Sequence, residues 1–278
     1  MSTVDLQPKT PKGTVVKKTT KASLMVSAGL GSLLAVSAQV QAAELHIIAT
    51  GALKGAMQHL QPAYEKASGN KLLISWGPSM GESPDSIPQR VLHKEPMDLA
   101  IMAAETLDQL SGTGSFEMTT RTQIASSRIG VGIPKGQPKP DVSSVDALRQ
   151  TLLNAKRVAY SQGASGVYIS TTLFNELGIS EQMKSKSVVI EGKELVGTAL
   201  ARGDADLGMQ QVSELKVTPG VDFVGPLPDK VQKISLFTAV VAKQSTQSAA
   251  AKSFIEYLTS KPAIQLLEES GLEPGKTL

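Results

Sequence analysis

The sequence predicts an α/β fold of two lobes, each built on its own parallel or mixed sheet and joined to the other by a hinge. Three observations predict it. Short β-branched runs alternate with helical patterns from Glu44 onward, the alternation restarts near Arg128, and a long apolar strand with two helices closes the chain. Strands that alternate with helices form parallel sheets covered on both faces. Two such sets of similar length, with a closing segment that returns to the first, make two lobes.

Residues 45–49 (LHIIA) read as the first strand, and 51–66 as an amphipathic helix ended by Ser68-Gly69-Asn70. Residues 71–76 (KLLISW) are the second strand, 87–94 a short helix, 98–103 (DLAIMA) the third strand and 105–110 a helix. After the restart, 128–133 is a strand and 144–154 a helix entered by an N-cap serine. Residues 157–160 are a strand, 167–177 a helix closed by Gly178, 188–190 a strand, and 193–202 a helix stopped by Gly203-Asp204. Short strands at 207–210 and 221–224 precede a long apolar one at 234–242, and helices at 249–257 and 263–269 finish the chain. The first lobe is expected at 43–125 with 236–278, and the second at 126–235. The chain crosses between them near 122–128 and 225–235, where Pro226-Leu227-Pro228 restricts the backbone. Two crossings form a hinge that closes about a cleft.

Composition narrows the function. Of the 278 residues only 4% are aromatic, with Trp76 the single tryptophan, which argues against stacking platforms for single-stranded nucleic acid. The net charge of +3 belongs to the first 42 residues, where Lys9, Lys12, Lys17, Lys18 and Lys21 face only Asp5; the remainder is near −1. Such a body has no electrostatic reason to bind nucleic acid or an anionic membrane. With no cysteine, thiolate chemistry, disulfides and a lipoprotein anchor are excluded. His46, His59 and His93 show no metal-ligand spacing, so neither metal nor cofactor is expected.

Residues 1–42 read as a secretory signal: a lysine-rich start, a short apolar core at 22–36, and small residues around a cut after Ala42. The apolar core is shorter than the roughly 20 residues that a membrane span needs. The expectation is export to the periplasm with no membrane insertion once the signal is removed.

Parallel sheets place ligands at the carboxyl ends of their strands. Four turns meet that condition. Gly51 and Ala52 follow the first strand, Ser79 and Met80 sit in the glycine-bracketed WGPSMG, Ser165, Gly166 and Tyr168 lie in SQGASGVY, and Gln210 and Gln211 lie in GMQQVS. Each turn taken singly has the ordinary reading of turn and cap residues. Together, two per lobe, they line a cleft of hydroxyls, amides and open backbone N–H groups, which suits an anion. Arg90 and Arg128 are candidate carboxylate forks, with a helix face and an inter-lobe tie as their structural readings. Glu82 and Asp85 border the second turn.

The segments ATGALKGAM, YEKASGNKLLISWG, PMDLAIMA, ASGVY, ALARGDADLG and FIEYLTSKPAIQLLEESGL, in this order over most of residues 44–275, resemble the molybdate-binding family of periplasmic solute-binding proteins. The resemblance implies the type II-like periplasmic binding fold, a small anionic solute and an ABC importer as partner. That family holds its tetrahedral anion with two serines, backbone amides and a tyrosine, without positive charge. The first serine position falls on Ala52, the second on Ser79, the amide turn around Ser165 and the tyrosine on Gln211. With two of those hydroxyls gone, molybdate loses donors that it needs. The segments WGPSMG, SRIGVGIPKG, SGVYIS, MQQVSEL and VGPLPDKVQ look more like a divergent subgroup, similar also to periplasmic aconitate isomerase, and paired amides at Gln210 and Gln211 suit a planar carboxylate.

Two functions follow: capture of a small anion, an oxyanion or a di- or tricarboxylate, for an importer, or isomerisation of aconitate by allylic proton transfer. The second needs an acid/base group beside the ligand. Tyr168, His93 and Glu82 are the titratable candidates near the turns. Nucleophilic catalysis is disfavoured because no G-x-S-x-G motif is present.

Overall fold

A computed structural model describes residues 42–275. The expected signal, residues 1–42, lies outside the described residues apart from Ala42. Strand β1 (Glu44–Thr50) pairs in parallel with β2 (Lys71–Gly77) and β3 (Leu99–Ala103). Between β1 and β2 runs α1 (Lys54–Ser68), preceded by a 3-10 turn (Gly51–Leu53). Its end is set by Gly69, whose φ of 76° is the left-handed conformation that a residue without Cβ adopts at no cost. Helices α2 (Ile87–Leu92) and α3 (Ala104–Leu110) flank β3, all five residues of which are buried, as in a strand covered on both faces.

The next strand, β4 (Thr122–Pro134), is six residues longer at its start than the sequence pattern indicates. Gln123, Ser126 and Ser127 break the apolar run, and only the antiparallel partner β9 (Ile234–Val241) makes 122–128 a strand. Helix α4 (Val145–Asn154) is capped by the Ser144 hydroxyl, which accepts from Ala147 N–H at 3.1 Å. There follow β5 (Val158–Ser161), then α5 (Ala164–Tyr168), which continues through a π turn (Ile169–Leu173) into α6 (Phe174–Glu176), then α7 (Ser180–Lys184) and β6 (Ser187–Ile190). Helix α8 (Val196–Arg202) starts three residues later than the pattern suggests. Strand β7 (Leu207–Gln211) passes directly into α9 (Val212–Val217), a helix too short for its period to be read. Strands β8 (Val221–Pro226) and β9, helices α10 (Ser248–Leu258) and α11 (Lys261–Glu269), and the short β10 (Glu273–Pro274) complete the chain.

The strands lie in the order β2-β1-β3-β9-β4-β7-β5-β6, with β8 and β10 also paired to β4. The two expected sheets are thus contiguous through β4. Its first seven residues pair with β9, and Ile129–Pro134 pair with β7 and β8. Each half has its own core on both faces. In the first half α1, α10 and α11 bury Leu53, Leu60, Phe254 and Leu258 on one side, while Ile87, Val91 and Leu107 fill the other. In the second half Leu148, Leu152, Ile169 and Phe174 pack on one face, and Val196, Leu200 and Leu215 on the other. Each such side chain contributes roughly 1.5–3 kcal/mol by leaving water.

Candidate functional site

The turns that follow β1, β2, β5, β6 and β7 meet around one cavity of about 40 Å³, walled by both halves. Thr50, Gly51, Lys54 and Trp76 to Ser79 come from the first half. Ser161, the 163–165 turn, the 192–195 loop, Gln210, Gln211 and Glu214 come from the second. Because the turns sit at strand carboxyl ends, they present helix starts to the cavity.

Ser79 is buried, and its hydroxyl accepts from Ala103 N–H at 3.0 Å while its carbonyl accepts from Thr106 Oγ1 at 2.8 Å. The first bond orients the side chain, the second holds the backbone of the turn, and the hydroxyl proton is left for a ligand. From the opposite wall comes Ser165, whose hydroxyl takes no hydrogen bond among the described residues. Its helix begins at Gly163 without a side-chain cap, so the first-turn N–H groups stay open. Gln210 accepts from Val196 N–H at 2.8 Å, which caps α8 and aims its amide nitrogen at Glu214. The Gln211 amide is set with its oxygen accepting from Ser235 Oγ at 2.8 Å and its nitrogen donating to the carbonyls of Ser127 and Arg128, both at 3.3 Å. Gln211 therefore ties the cavity wall to β4 and β9 and is not a free pair of donors.

Charge enters from residues that the sequence reading did not single out. Lys54, half-buried at the start of α1, and the exposed Lys193 both line the cavity. Glu194 beside them is paired with Arg202. Glu214 is buried, and burial pushes its carboxyl up to about 7 against the pull of Gln211 N–H, the Lys54 ammonium and the Gln210 amide. A Cβ on Gly51 would lie 2.7 Å from Glu214 Oε1, so the absence of a side chain at 51 is what gives the carboxyl its place. Lys54 was open to detection three residues after Gly51. Glu214 stands one helical turn after Gln211, but only a helix at 212–217 turns both toward the same wall.

Gly51, Ser79, Ser165, Gln210 and Gln211 line the cavity; the other sequence candidates do not. Ala52 is 1% exposed and packs in the first core. Met80 is half-buried beyond the cavity wall. Gly166 is pressed on β5, where an added Cβ would fall 1.5 Å from Ser161 O. Tyr168 donates to Val231 O at 3.0 Å and packs on the second core, and desolvation raises its hydroxyl pKa. Arg90 is buried and paired with Glu95, and Arg128 is held by Asp229 at 2.6 Å and Glu273 at 3.2 Å, so neither is a fork for a ligand. His93 and Glu82 are exposed, away from the cavity. Asp85 accepts from Ser83 Oγ at 2.8 Å and abuts Gly192 of the other half.

Two α/β halves that share a cavity at their strand carboxyl ends define a two-lobed solute-binding protein of the periplasmic type. The chain belongs to the bacterial extracellular solute-binding protein family, whose model matches residues 45–273. It is 41% identical over 249 residues to the aconitate isomerase of Pseudomonas sp, covering 88% of this chain and 95% of that one. It is 24% identical over 255 residues to the molybdate-binding protein of Escherichia coli (strain K12), covering 90% and 96%. Among solved structures, the periplasmic molybdate-binding protein of Azotobacter vinelandii superposes with a TM-score of 0.67 at 18% identity over 84% of this chain and all of that one. The sulfate-binding protein of Mycobacterium tuberculosis H37Rv does so with 0.65 at 16% identity over 84% and 88%. These two share the fold. No helix among the described residues is long and apolar enough to cross a membrane.

Proposed function

We propose that this chain captures a small carboxylate-bearing anion, a di- or tricarboxylate, in the periplasm and delivers it to an ABC-type importer. The observation that carries the reading is the wall chemistry. Ser79 and Ser165 supply hydroxyl donors from opposite halves, and Lys54 and Lys193 supply positive charge. A tetrahedral oxyanion held by hydroxyls alone needs no lysine, whereas several carboxylates need charge as well as directional donors. The cavity of about 40 Å³ has room for only a few water-sized groups, so a polycarboxylate enters when the halves part and is held as they close. Support for an importer comes from relatives that include an ABC transporter substrate-binding lipoprotein of Bacillus subtilis.

A second reading, isomerisation of aconitate in the same cleft, is favoured by one specific observation. A buried carboxyl that titrates near neutrality, Glu214, stands on the cavity wall, and the relative at 41% identity carries that activity in its name.

The test is a melting-temperature panel on the protein from residue 43 onward, with molybdate, sulfate and a series of mono-, di- and tricarboxylates. Selective stabilisation by di- or tricarboxylates is the expected result. A ligand at about 100 times its Kd adds roughly 2.7 kcal/mol. Stabilisation by molybdate or sulfate alone, or by no anion, overturns the reading.

A further inference from the structure

We propose that Glu214 is the catalytic base of this cleft, carrying a proton between the two ends of an allylic system in a bound unsaturated polycarboxylate while Lys54 holds the carboxylate that conjugates with it. The proposal rests on the polycarboxylate reading of the cleft given above.

Geometry selects Glu214. Of the ionisable side chains on the cavity wall, Lys54, Lys193, Glu194 and Glu214, only Glu214 is buried. Glu194 is engaged by Arg202, and Tyr168, His93 and Glu82 lie off the wall. Gly51 leaves space directly over the Glu214 carboxyl. The Gln210 amide, whose oxygen is fixed by Val196 N–H, stands beside that carboxyl and favours its ionised form. Few other charges act on it. The 51–53 turn and β7 contain no ionisable residue, Arg128 of β4 faces Asp229 and Glu273, Asp222 of β8 accepts from Gly136 N–H, and Arg202 of α8 faces Glu194 and Asp204. Lys54 and Lys193 are the cations on the same wall.

The chemistry asks for such a group. The ionised carboxyl removes a proton from the methylene carbon that lies between a carboxylate and the double bond: an O–H bond forms, the C–H bond breaks, and the electron pair spreads over the allylic carbons and the conjugated carboxylate. A cation fixed beside that carboxylate stabilises the charge as it develops. The same proton then returns to the far allylic carbon. The O–H bond breaks, a C–H bond forms, and the double bond moves by one position with no oxidant, reductant or co-reactant. A carboxyl that both takes and gives the proton works best when it titrates near the operating pH, and burial brings Glu214 there.

The experiment follows conversion of trans-aconitate to the cis isomer by proton NMR at saturating ligand, for the wild type, E214Q and E214D, with ligand-induced melting shifts recorded in parallel. The wild type is expected to convert, its rate rising over roughly pH 6 to 8 as the base ionises. E214Q is expected to lose at least about 100-fold in rate while trans-aconitate still raises its melting temperature. E214D, which keeps a carboxyl one methylene back, is expected to retain measurable conversion. Conversion by E214Q within tenfold of the wild type, or a wild type that binds trans-aconitate and never converts it, overturns the proposal. If trans-aconitate gives no melting shift with any variant, the polycarboxylate reading itself fails, and the proposal with it.

Discussion

Glu214 is the residue at which stability and site chemistry meet. Its carboxyl ordinarily titrates near 4.5 and is raised to about 7 here. Between those values the folded chain holds a proton that the unfolded chain has released. Its contribution is therefore full below about pH 4.5 and lost as pH rises through about 7, with little further change above. The shift corresponds to about 3 kcal/mol. Urea midpoints at pH 5 and pH 8 should show the wild type weaker at the higher pH by an amount of that order, and E214Q should flatten the difference. A wild type equally stable at both values would contradict a buried, raised carboxyl. Ser165 gives the opposite kind of prediction. Its hydroxyl serves no partner among the described residues, so Ser165→Ala should leave the melting temperature of the free protein nearly unchanged. Titration calorimetry should find its Kd for the anion about tenfold weaker, the value of one hydrogen bond to a charged group.

At the scale of elements, the strand-to-helix turns decide what the cleft contains. Gly166 lies where α5 rests on β5, and Gly166→Ala would drive a Cβ into the Ser161 carbonyl at 1.5 Å. Backbone cannot give way as a flexible side chain does, so about 3 kcal/mol or more of folding stability should be lost, read as a lowered urea midpoint. The sequence pattern places Gly166 in the cleft lining; in the folded chain that position is pressed on the protein's own strand. Strands and long helices were legible because burial on one or both faces writes a period of 2 or a continuous apolar run into the residues. The first half of β4 was not, since Gln123, Ser126 and Ser127 pair with β9, over one hundred residues away. Nor was α9, whose six residues hold less than two turns, and with it went the orientation of Glu214.

On the scale of the whole molecule, the cleft exists only because β4 runs through both halves and the chain returns through β9. If the crossings at 122–128 and 225–235 act as the expected hinge, small-angle scattering should show the radius of gyration falling when the stabilising anion is added, and a rigid molecule would show no change. Arg128 ties this crossing to Asp229 and Glu273, yet all three side chains are a third or more exposed. Arg128→Ala should thus cost no more than about 1 kcal/mol, measured by urea denaturation, and it should leave anion affinity in place because Arg128 lies off the cavity wall. By itself the sequence determined the α/β class, the order of most elements, the exclusion of thiol chemistry and the turns that carry Ser79, Ser165 and Gln210, for all of these are written in local pattern or composition. Only the tertiary structure decided that Arg90, Arg128 and Tyr168 are spent on internal partners while Lys54, Lys193 and Glu214 face the cavity. The physical reason is that a side chain's charge and proton affinity depend on neighbours brought from distant parts of the chain, which no local period records.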